Sequence, residues 1–205
     1  KKLSRKIHLV VGFIEETEDT EFFNSAMYLA GGEIRHVHRK IYLPTYRMFD
    51  EQRYFGSGSA VCAFPTPWGR MAMLICGDAW HLSLPYLAVH DGADVLLIMA
   101  ASAREGLSET VGVQNAWQRM NQSYGLTLST FVMFTNFAGE MQGLRFWGGS
   151  HIVQPDGNML AQARLDEEDL MVYKSDLLHL SAIAMTARSG GLSARGATYV
   201  DRTAF

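Results

Sequence analysis

Residues 70–80 read Arg-Met-Ala-Met-Leu-Ile-Cys-Gly-Asp-Ala-Trp, and this stretch decides how the chain is interpreted. Its apolar run, residues 71–75, predicts a buried β-strand that ends at Cys76, and residues 82–90 then follow a helical pattern. Backbone N–H groups at a strand-to-helix turn can stabilise a thiolate and an oxyanion beside it, and Gly77 permits the tight backbone of such a turn. The alternative interpretation is a core thiol that packs as a small hydrophobic side chain.

Composition limits the classes of protein that fit the chain. Its 205 residues, 48% hydrophobic and 19% charged, are typical of a soluble globular protein, and we predict one domain over residues 1–205 with a loose tail from about residue 189. A formal net charge of -3 gives no electrostatic reason to expect nucleic acid or an anionic membrane as partner, and no apolar run is long enough to span a membrane. Two cysteines do not make a disulfide scaffold, which favours a reducing, cytoplasmic setting.

The rest of the chain reads as short strands interrupted by two helical segments. The pair Gly31-Gly32 predicts a tight hairpin. Hairpins interleaved with helical crossovers predict an α/β fold in which a mixed sheet is layered with helices. The predicted strands cover residues 7–15, 23–30, 33–43, 60–64, 70–76, 94–101, 130–136, 151–154, 158–163 and 170–174, and the predicted helices cover residues 82–90 and 111–124.

Two charged residues before the cysteine are candidates for chemistry. Lys40 ends a predicted strand, from which a cation can point into a cleft, although a solvated edge lysine is the common alternative. Glu51 is flanked by Phe49, Tyr54 and Phe55, so the acid is expected to be partly desolvated and paired with a cation. A surface acid in a loop is the alternative for Glu51.

The histidines and the second cysteine carry weaker signals. His36 and His38 project from one strand face, a spacing that can hold a metal, but no third ligand is evident and we predict no metal site. A Cys–His dyad with His81 or His151 as base lacks a local signature. Cys62 lies within a predicted strand and is interpreted as structural.

Segments along nearly the whole chain resemble, in order, the nitrilase superfamily of carbon–nitrogen hydrolases. A succession of motifs in suitable order and spacing is much more specific than any one of them alone. The segments that match are a strand with the pattern of residues 7–15, the lysine segment 38–44, the second-acid segment 49–58, the nucleophile elbow 74–78, the following strand 91–101, and shorter matches at 135–139, 146–150 and 155–157.

The resemblance implies an α-β-β-α sandwich, self-association into a homodimer or larger homo-oligomer, and a Glu-Lys-Cys triad that needs no cofactor. Cys76 would attack the carbonyl carbon of a small amide, while Lys40 and the Gly77 N–H stabilise the tetrahedral oxyanion. Glu51 matches the supporting acid that orients Lys40. A glutamate acting as general base would then activate water to hydrolyse the thioester.

One part of the superfamily pattern has no match. The first catalytic glutamate belongs to a strand that would precede Lys1, whereas Glu15 and Glu16 lie on a later strand. We therefore expect the chain to begin partway into a longer gene product, without the opening βα units. The competing hypothesis is a nitrilase-like scaffold without catalytic activity.

The residues around Cys76 also bear on the substrate. Gly77 and Asp78 stand where true nitrilases usually have Trp-Glu, which favours amides or N-carbamoyl compounds over nitriles. The run of residues 76–80 is also similar to the glutaminase domains of glutamine-dependent NAD synthetases, so an amidotransferase domain is a further alternative. By their position relative to Cys76 and the next strand end, four residues are predicted to line the pocket: Tyr46, Trp80, Ala101 and Ser102.

Overall fold

The computed structural model describes residues 2–46, 49–106 and 112–173. The strands are β1 (Leu9–Glu16), β2 (Phe22–Ala30), β3 (Glu33–Arg39), β4 (Phe64–Thr66), β5 (Gly69–Ile75), β6 (Val95–Ala100), β7 (Phe131–Asn136), β8 (Ala138–Met141), β9 (Leu144–Trp147), β10 (His151–Val153) and β11 (Met159–Gln162). The α-helices are α1 (Ser83–His90) and α2 (Val113–Leu128), and short 3-10 helices cover Leu3–Arg5, Glu51–Arg53, Cys76–Trp80 and Arg104–Gly106.

The first three strands form an antiparallel sheet in the order β1-β2-β3. Gly31 and Gly32 have φ angles of +64° and +86°, which the glycines adopt without steric cost, so β2 turns directly into β3 as the sequence predicted. The ladder places Ser25 opposite Arg39 and Ala26 opposite His38. Lys40 therefore emerges from β3 beside the first half of β2.

The larger sheet has six strands in the order β11-β10-β7-β6-β5-β4. Its central strands β5, β6 and β7 are parallel, with α1 connecting β5 to β6 and α2 connecting β6 to β7, as parallel pairing requires of a crossover. The carboxyl ends of these strands meet at one edge of the sheet, the usual place for a site in an α/β fold. Neither helix in the described part of the chain is long and apolar enough to cross a membrane.

Two hydrophobic cores show how the layers stack. One core joins the two sheets through residues such as Ala26 and Tyr28 on β2 and Met73 on β5. The other joins the large sheet to the helices, where Trp117 of α2 is fully buried. This mixed architecture confirms the α/β fold class. The described residues form three layers: the smaller sheet, the larger sheet and the helices. The second outer helical layer of an α-β-β-α sandwich stays a prediction.

The strand predicted for residues 60–64 is wrong over most of its length, because β4 begins only at Phe64. Cys62 lies outside any strand and is exposed, so its interpretation as a structural strand residue is also wrong. The backbone N–H of Ala63 donates to the Asp91 carboxylate at 2.8 Å. The Asp91 side chain therefore accepts the hydrogen bond that the sequence predicted a neighbouring strand would accept.

The strand predicted for residues 170–174 is not formed over residues 170–173, and Lys174 lies outside the described residues. Leu170 and Val172 are 85% and 81% exposed, so their apolar character does not reflect burial against a core. The tail predicted from about residue 189 also lies outside the described residues.

Candidate active site

Cys76 occupies a sharp turn between β5 and the 3-10 helix Cys76–Trp80. Its φ angle is +45°, a left-handed conformation that is uncommon for a residue with a side chain and is concentrated at functional sites. The neighbouring Gly77 backbone N–H lowers the pKa of the Cys76 thiol, the smallest of the influences on it. A methyl group at Gly77 would lie 3.0 Å from the Tyr42 carbonyl oxygen, so the close approach of these segments favours glycine.

Lys40 and Glu51 form a close ion pair. The Lys40 Nζ atom lies 2.7 Å from each carboxylate oxygen of Glu51, and the lysine side chain is only 2% exposed. The backbone of Lys40 is held on both sides, because its N–H donates to the Asn24 carbonyl and its carbonyl accepts from the Gly58 N–H, both at 2.8 Å. The position of the ammonium group is therefore determined by the backbone and by Glu51 together.

A cavity of about 260 Å³ brings the three predicted catalytic side chains together. It lies where the carboxyl ends of β5 and β6 approach the smaller sheet. Its walls are formed by Gly12, Asn24, Ser25, Lys40, Glu51, Ile75, Cys76, Met99, Ala100 and Ala101. The thiol, the ammonium and the carboxylate thus face one space that a small molecule can enter.

The electrostatic surroundings of Cys76 favour the protonated thiol. Although part of the residue is accessible, burial is the largest influence on its pKa and raises it. The Lys40 ammonium lowers the pKa, but the carboxylates of Glu51 and Asp78 raise it further. The net pKa is raised, so the thiol requires a base before it can act as a nucleophile.

The residues predicted to line the pocket are placed differently from one another. Ala101 belongs to the cavity wall. Tyr46, Trp80 and Ser102 are not among the described residues that line it. The Ser102 hydroxyl accepts a hydrogen bond from the Trp117 indole at 3.0 Å, and Trp80 packs edge-on against the same indole. Position relative to Cys76 and to the end of the next strand did not predict the direction of these side chains.

Sequence reasoning missed the part that Asp78 plays in this site. The Asp78 side chain is fully buried, and its Oδ2 atom accepts from the Ile75 N–H at 3.0 Å and from His38 Nε2 at 2.9 Å. Its Oδ1 atom accepts from the N–H groups of Ile41 and Tyr42 at 3.0 and 2.9 Å. One carboxylate thus connects the elbow to the segment after Lys40. An acid inside an otherwise apolar elbow sequence was the available signal.

The remaining histidines have local packing partners. The ring of His36 stacks on Phe64 with 4.4 Å between the ring centroids, whereas His38 forms a hydrogen bond with Asp78. The two histidines therefore have different partners. Within residues 2–46, 49–106 and 112–173, no group of three or more His, Cys, Asp or Glu side chains is placed to hold a metal ion. His81 stacks on Tyr42, and His151 is fully buried against Asn121 and Gly149.

Asn136, at the end of β7, orders the loop that follows β6. Its Oδ1 atom accepts from the Ser102 N–H at 2.8 Å, and its Nδ2 atom donates to the carbonyl oxygens of Ser102 and Gly148 at 3.4 and 3.1 Å. Because Ala101 lies directly before Ser102, these bonds fix one wall of the cavity. The sequence placed Asn136 in a motif but assigned it no contact.

Comparison of the sequence with curated proteins finds several relatives that are enzymes. A glutamine-dependent NAD(+) synthetase of Acinetobacter baylyi is 29% identical over 173 residues, which cover 84% of this chain and 31% of that protein. An N-carbamoylputrescine amidase of Oryza sativa is 26% identical over 188 residues, which cover 86% of this chain and 62% of that protein. The chain thus spans less than two thirds of the length of these relatives.

Solved structures match the fold. A carbon-nitrogen hydrolase from Helicobacter pylori superimposes with a TM-score of 0.85 at 24% identity, covering 96% of this chain and 70% of that one. A glutamine-dependent NAD+ synthetase from Acinetobacter baumannii gives a TM-score of 0.75 at 29% identity, covering 82% of this chain and 31% of that one. Residues 4–184 match the family described as Carbon-nitrogen hydrolase. The chain therefore belongs to the carbon-nitrogen hydrolase family.

Proposed function

We propose that the protein hydrolyses the carbon–nitrogen bond of a small amide or N-carbamoyl compound through a thioester on Cys76. The observation that carries this proposal is the cavity, whose wall holds Cys76 at a strained elbow together with the Lys40–Glu51 ion pair. A nucleophile, a buried cation and a backbone N–H beside the sulfur are the groups that acyl transfer requires.

In the first step the Cys76 sulfur attacks the carbonyl carbon and its proton passes to a general base. Negative charge develops on the carbonyl oxygen, where the Lys40 ammonium and the Gly77 N–H stabilise it. The carbon–nitrogen bond then breaks, the base returns the proton to the nitrogen, and ammonia or an amine leaves. The acyl group remains bound to sulfur as a thioester.

In the second step water attacks the thioester carbon. The base removes a proton from that water, the same cation and N–H stabilise the second oxyanion, and the carbon–sulfur bond breaks. The base returns its proton to the sulfur, and the carboxylic acid, or the carbamic acid formed from an N-carbamoyl compound, is released. Division of amide hydrolysis into two acyl transfers replaces one difficult step with two easier ones.

We assign Glu51 to the orientation of Lys40 and the proton transfers to a separate carboxylate, the glutamate that the superfamily resemblance implies. Both Glu51 oxygens lie 2.7 Å from the Lys40 ammonium, so this carboxylate is already engaged in holding the cation. A residue that exchanges protons in each step cannot be so closely paired throughout. The raised pKa of Cys76 supports the participation of a general base in the first step.

The test is release of ammonia from a panel of short aliphatic amides, N-carbamoyl amino acids, glutamine and one nitrile. Cys76→Ala is the inactive variant, and Cys62→Ala is its matched control because Cys62 is exposed and away from the cavity. We expect ammonia from an amide or carbamoyl compound, loss of that activity in Cys76→Ala, and an acyl adduct on the Cys76 peptide by mass spectrometry. Turnover that persists in Cys76→Ala would rule out the thioester, and an unreactive thiol with no turnover would favour the scaffold hypothesis.

A glutaminase activity is the second candidate, favoured by the similarity to glutamine-dependent NAD synthetases in sequence and structure. In such a role the ammonia would pass to an acceptor reaction. The same panel separates the two candidates. Glutamine as the preferred substrate would support the glutaminase, and preference for other amides or carbamoyl compounds would support the amidase.

A further inference from the structure

We infer that Asn24 selects the acyl group of the substrate, and that the preferred acyl group carries an uncharged hydrogen-bonding substituent such as a second carboxamide. This inference rests on the proposed amide hydrolysis, because it assigns a specificity to the same cavity. It concerns a residue that takes no part in the chemical steps described above.

Asn24 lies next to Lys40 on the cavity wall. It belongs to β2, where it pairs with Ile14 of β1, and its carbonyl accepts the Lys40 N–H at 2.8 Å. Side chains alternate between the two faces of a strand, and Ala26 and Tyr28 face the core between the sheets. Asn24 therefore lies on the same face of β2 as Ala26 and Tyr28, at the end of the strand that borders the cavity.

The Asn24 carboxamide has no hydrogen-bond partner in the described part of the chain, although it can donate two hydrogen bonds and accept two. The neighbouring residue on the wall differs, since the Ser25 hydroxyl donates to Glu15 at 2.7 Å. A substrate that fills the cavity displaces the water available to Asn24. An apolar acyl group would leave the amide unsatisfied, which weakens the binding of that substrate.

Charge in the cavity disfavours an ionised acyl group. Of the described residues in its wall, Lys40 and Glu51 are the charged ones, and each neutralises the other. Arg39 is bound by Glu15 at 2.6 Å, and neither residue is among those that line the cavity. A carboxylate or ammonium on the acyl chain would thus lose water without gaining a counterion from these described residues.

The size and the apolar part of the cavity limit the rest of the acyl group. A volume of about 260 Å³ is close to the lower end, about 300 Å³, of the range typical of small-molecule sites. Ile75, Met99 and Ala100 supply apolar surface for a short methylene chain. The small volume, the apolar surface and Asn24 together favour a short acyl chain that ends in a neutral polar group.

The experiment uses four amides of matched length: succinamide, butyramide, succinamate and 4-aminobutanamide. We expect kcat/KM for succinamide to exceed that for butyramide by about tenfold or more, the equivalent of one satisfied polar group. Asn24→Ala should reduce this ratio to near one, and Asn24→Asp should shift preference to the cationic 4-aminobutanamide. Asn115→Ala, at an exposed position on α2, is the matched control and should retain the wild-type ratio.

A binding measurement separates this inference from the proposed hydrolysis. Calorimetry on Cys76→Ala and on Cys76→Ala with Asn24→Ala compares succinamide with butyramide in the absence of turnover. Tighter binding of succinamide that depends on Asn24 supports the inference even if no amide is hydrolysed. Equal binding of the two ligands, or an equal loss for all four amides in Asn24→Ala, overturns the inference while leaving hydrolysis by Cys76 intact.

Discussion

The Asp78 carboxylate accepts a hydrogen bond from His38 Nε2 at 2.9 Å, and both side chains are buried. The two residues are separated by 40 positions and belong to β3 and to the elbow after β5. Because Asp78 also accepts from the N–H groups of Ile41 and Tyr42, this contact sets the distance between the Lys40 segment and Cys76. A buried acid that is not itself among the proposed catalytic residues thus positions two of them, Lys40 and Cys76.

We expect Asp78→Asn to destabilise the protein by about 1–3 kcal/mol or more, the cost of leaving buried hydrogen-bond donors without their acceptor. The variant retains the shape of the side chain but replaces an acceptor with an NH2 group that faces other donors. Urea denaturation measures the free energy of unfolding. The matched control is Asp19→Asn at an exposed position, which should leave that free energy within about 0.5 kcal/mol of wild type.

The His38 side of the contact gives an independent check. His38→Gln retains a donor group, and we expect it to preserve more of the stability and of kcat than His38→Phe does. Equal losses in the two variants would show that packing of the ring, and not its bond to Asp78, is what the site needs.

The rate of Cys76 alkylation should depend on pH with a midpoint above about 8.5, the pKa of an unperturbed thiol. Burial raises the pKa of this thiol, so the reactive thiolate is scarce at neutral pH and increases as pH rises through the folded-state pKa. Iodoacetamide labelling, followed by mass spectrometry of the Cys76 peptide, measures the rate. A rate that is already constant between pH 6 and pH 8 (roughly the physiological range) would contradict the dominance of burial.

Substitutions in the ion pair should move this midpoint in opposite directions. The Lys40 ammonium lowers the Cys76 pKa, so Lys40→Met should raise the midpoint, whereas Glu51 raises that pKa and Glu51→Gln should lower the midpoint. The same labelling experiment measures both shifts. Glu18→Gln, at an exposed position, is the control and should leave the midpoint unchanged. Shifts of the same sign in both ion-pair variants would indicate a rearranged site.

Gly58→Ala should displace the Lys40 segment. A methyl group at Gly58 would lie 2.1 Å from the Arg39 carbonyl oxygen, and the Gly58 N–H already donates to the Lys40 carbonyl. We expect the free energy of unfolding to fall by about 1–3 kcal/mol or more, because overpacking destabilises a folded protein by this amount. We also expect a lower kcat/KM. At Gly112 the nearest atom to an added methyl group is the Asn115 Nδ2 at 3.6 Å, so Gly112→Ala serves as the control. Equal stability of the two variants would contradict the close packing at Gly58.

Local patterns in the sequence were sufficient for most of the elements. Residues 71–75 predict a strand that is buried on both faces, and β5 is that strand. Gly31 and Gly32 predict the hairpin because only glycine adopts their positive φ angles at no cost. Where exposed apolar residues imitate a buried strand, as at Leu170 and Val172, the same reasoning gave a wrong strand.

The sequence by itself determined the family, the α/β class and the identity of Cys76, Lys40 and Glu51 as candidates, because strand periodicity and motif order are properties of short segments. Only the tertiary structure decided which side chains meet. The contacts of Asp78 with His38, of Lys40 with Glu51 and of Asn24 with the cavity depend on the packing of two sheets. Periodicity gives the face on which a side chain lies, but the partner across that face comes from a distant segment whose register is set only when the sheets pack together.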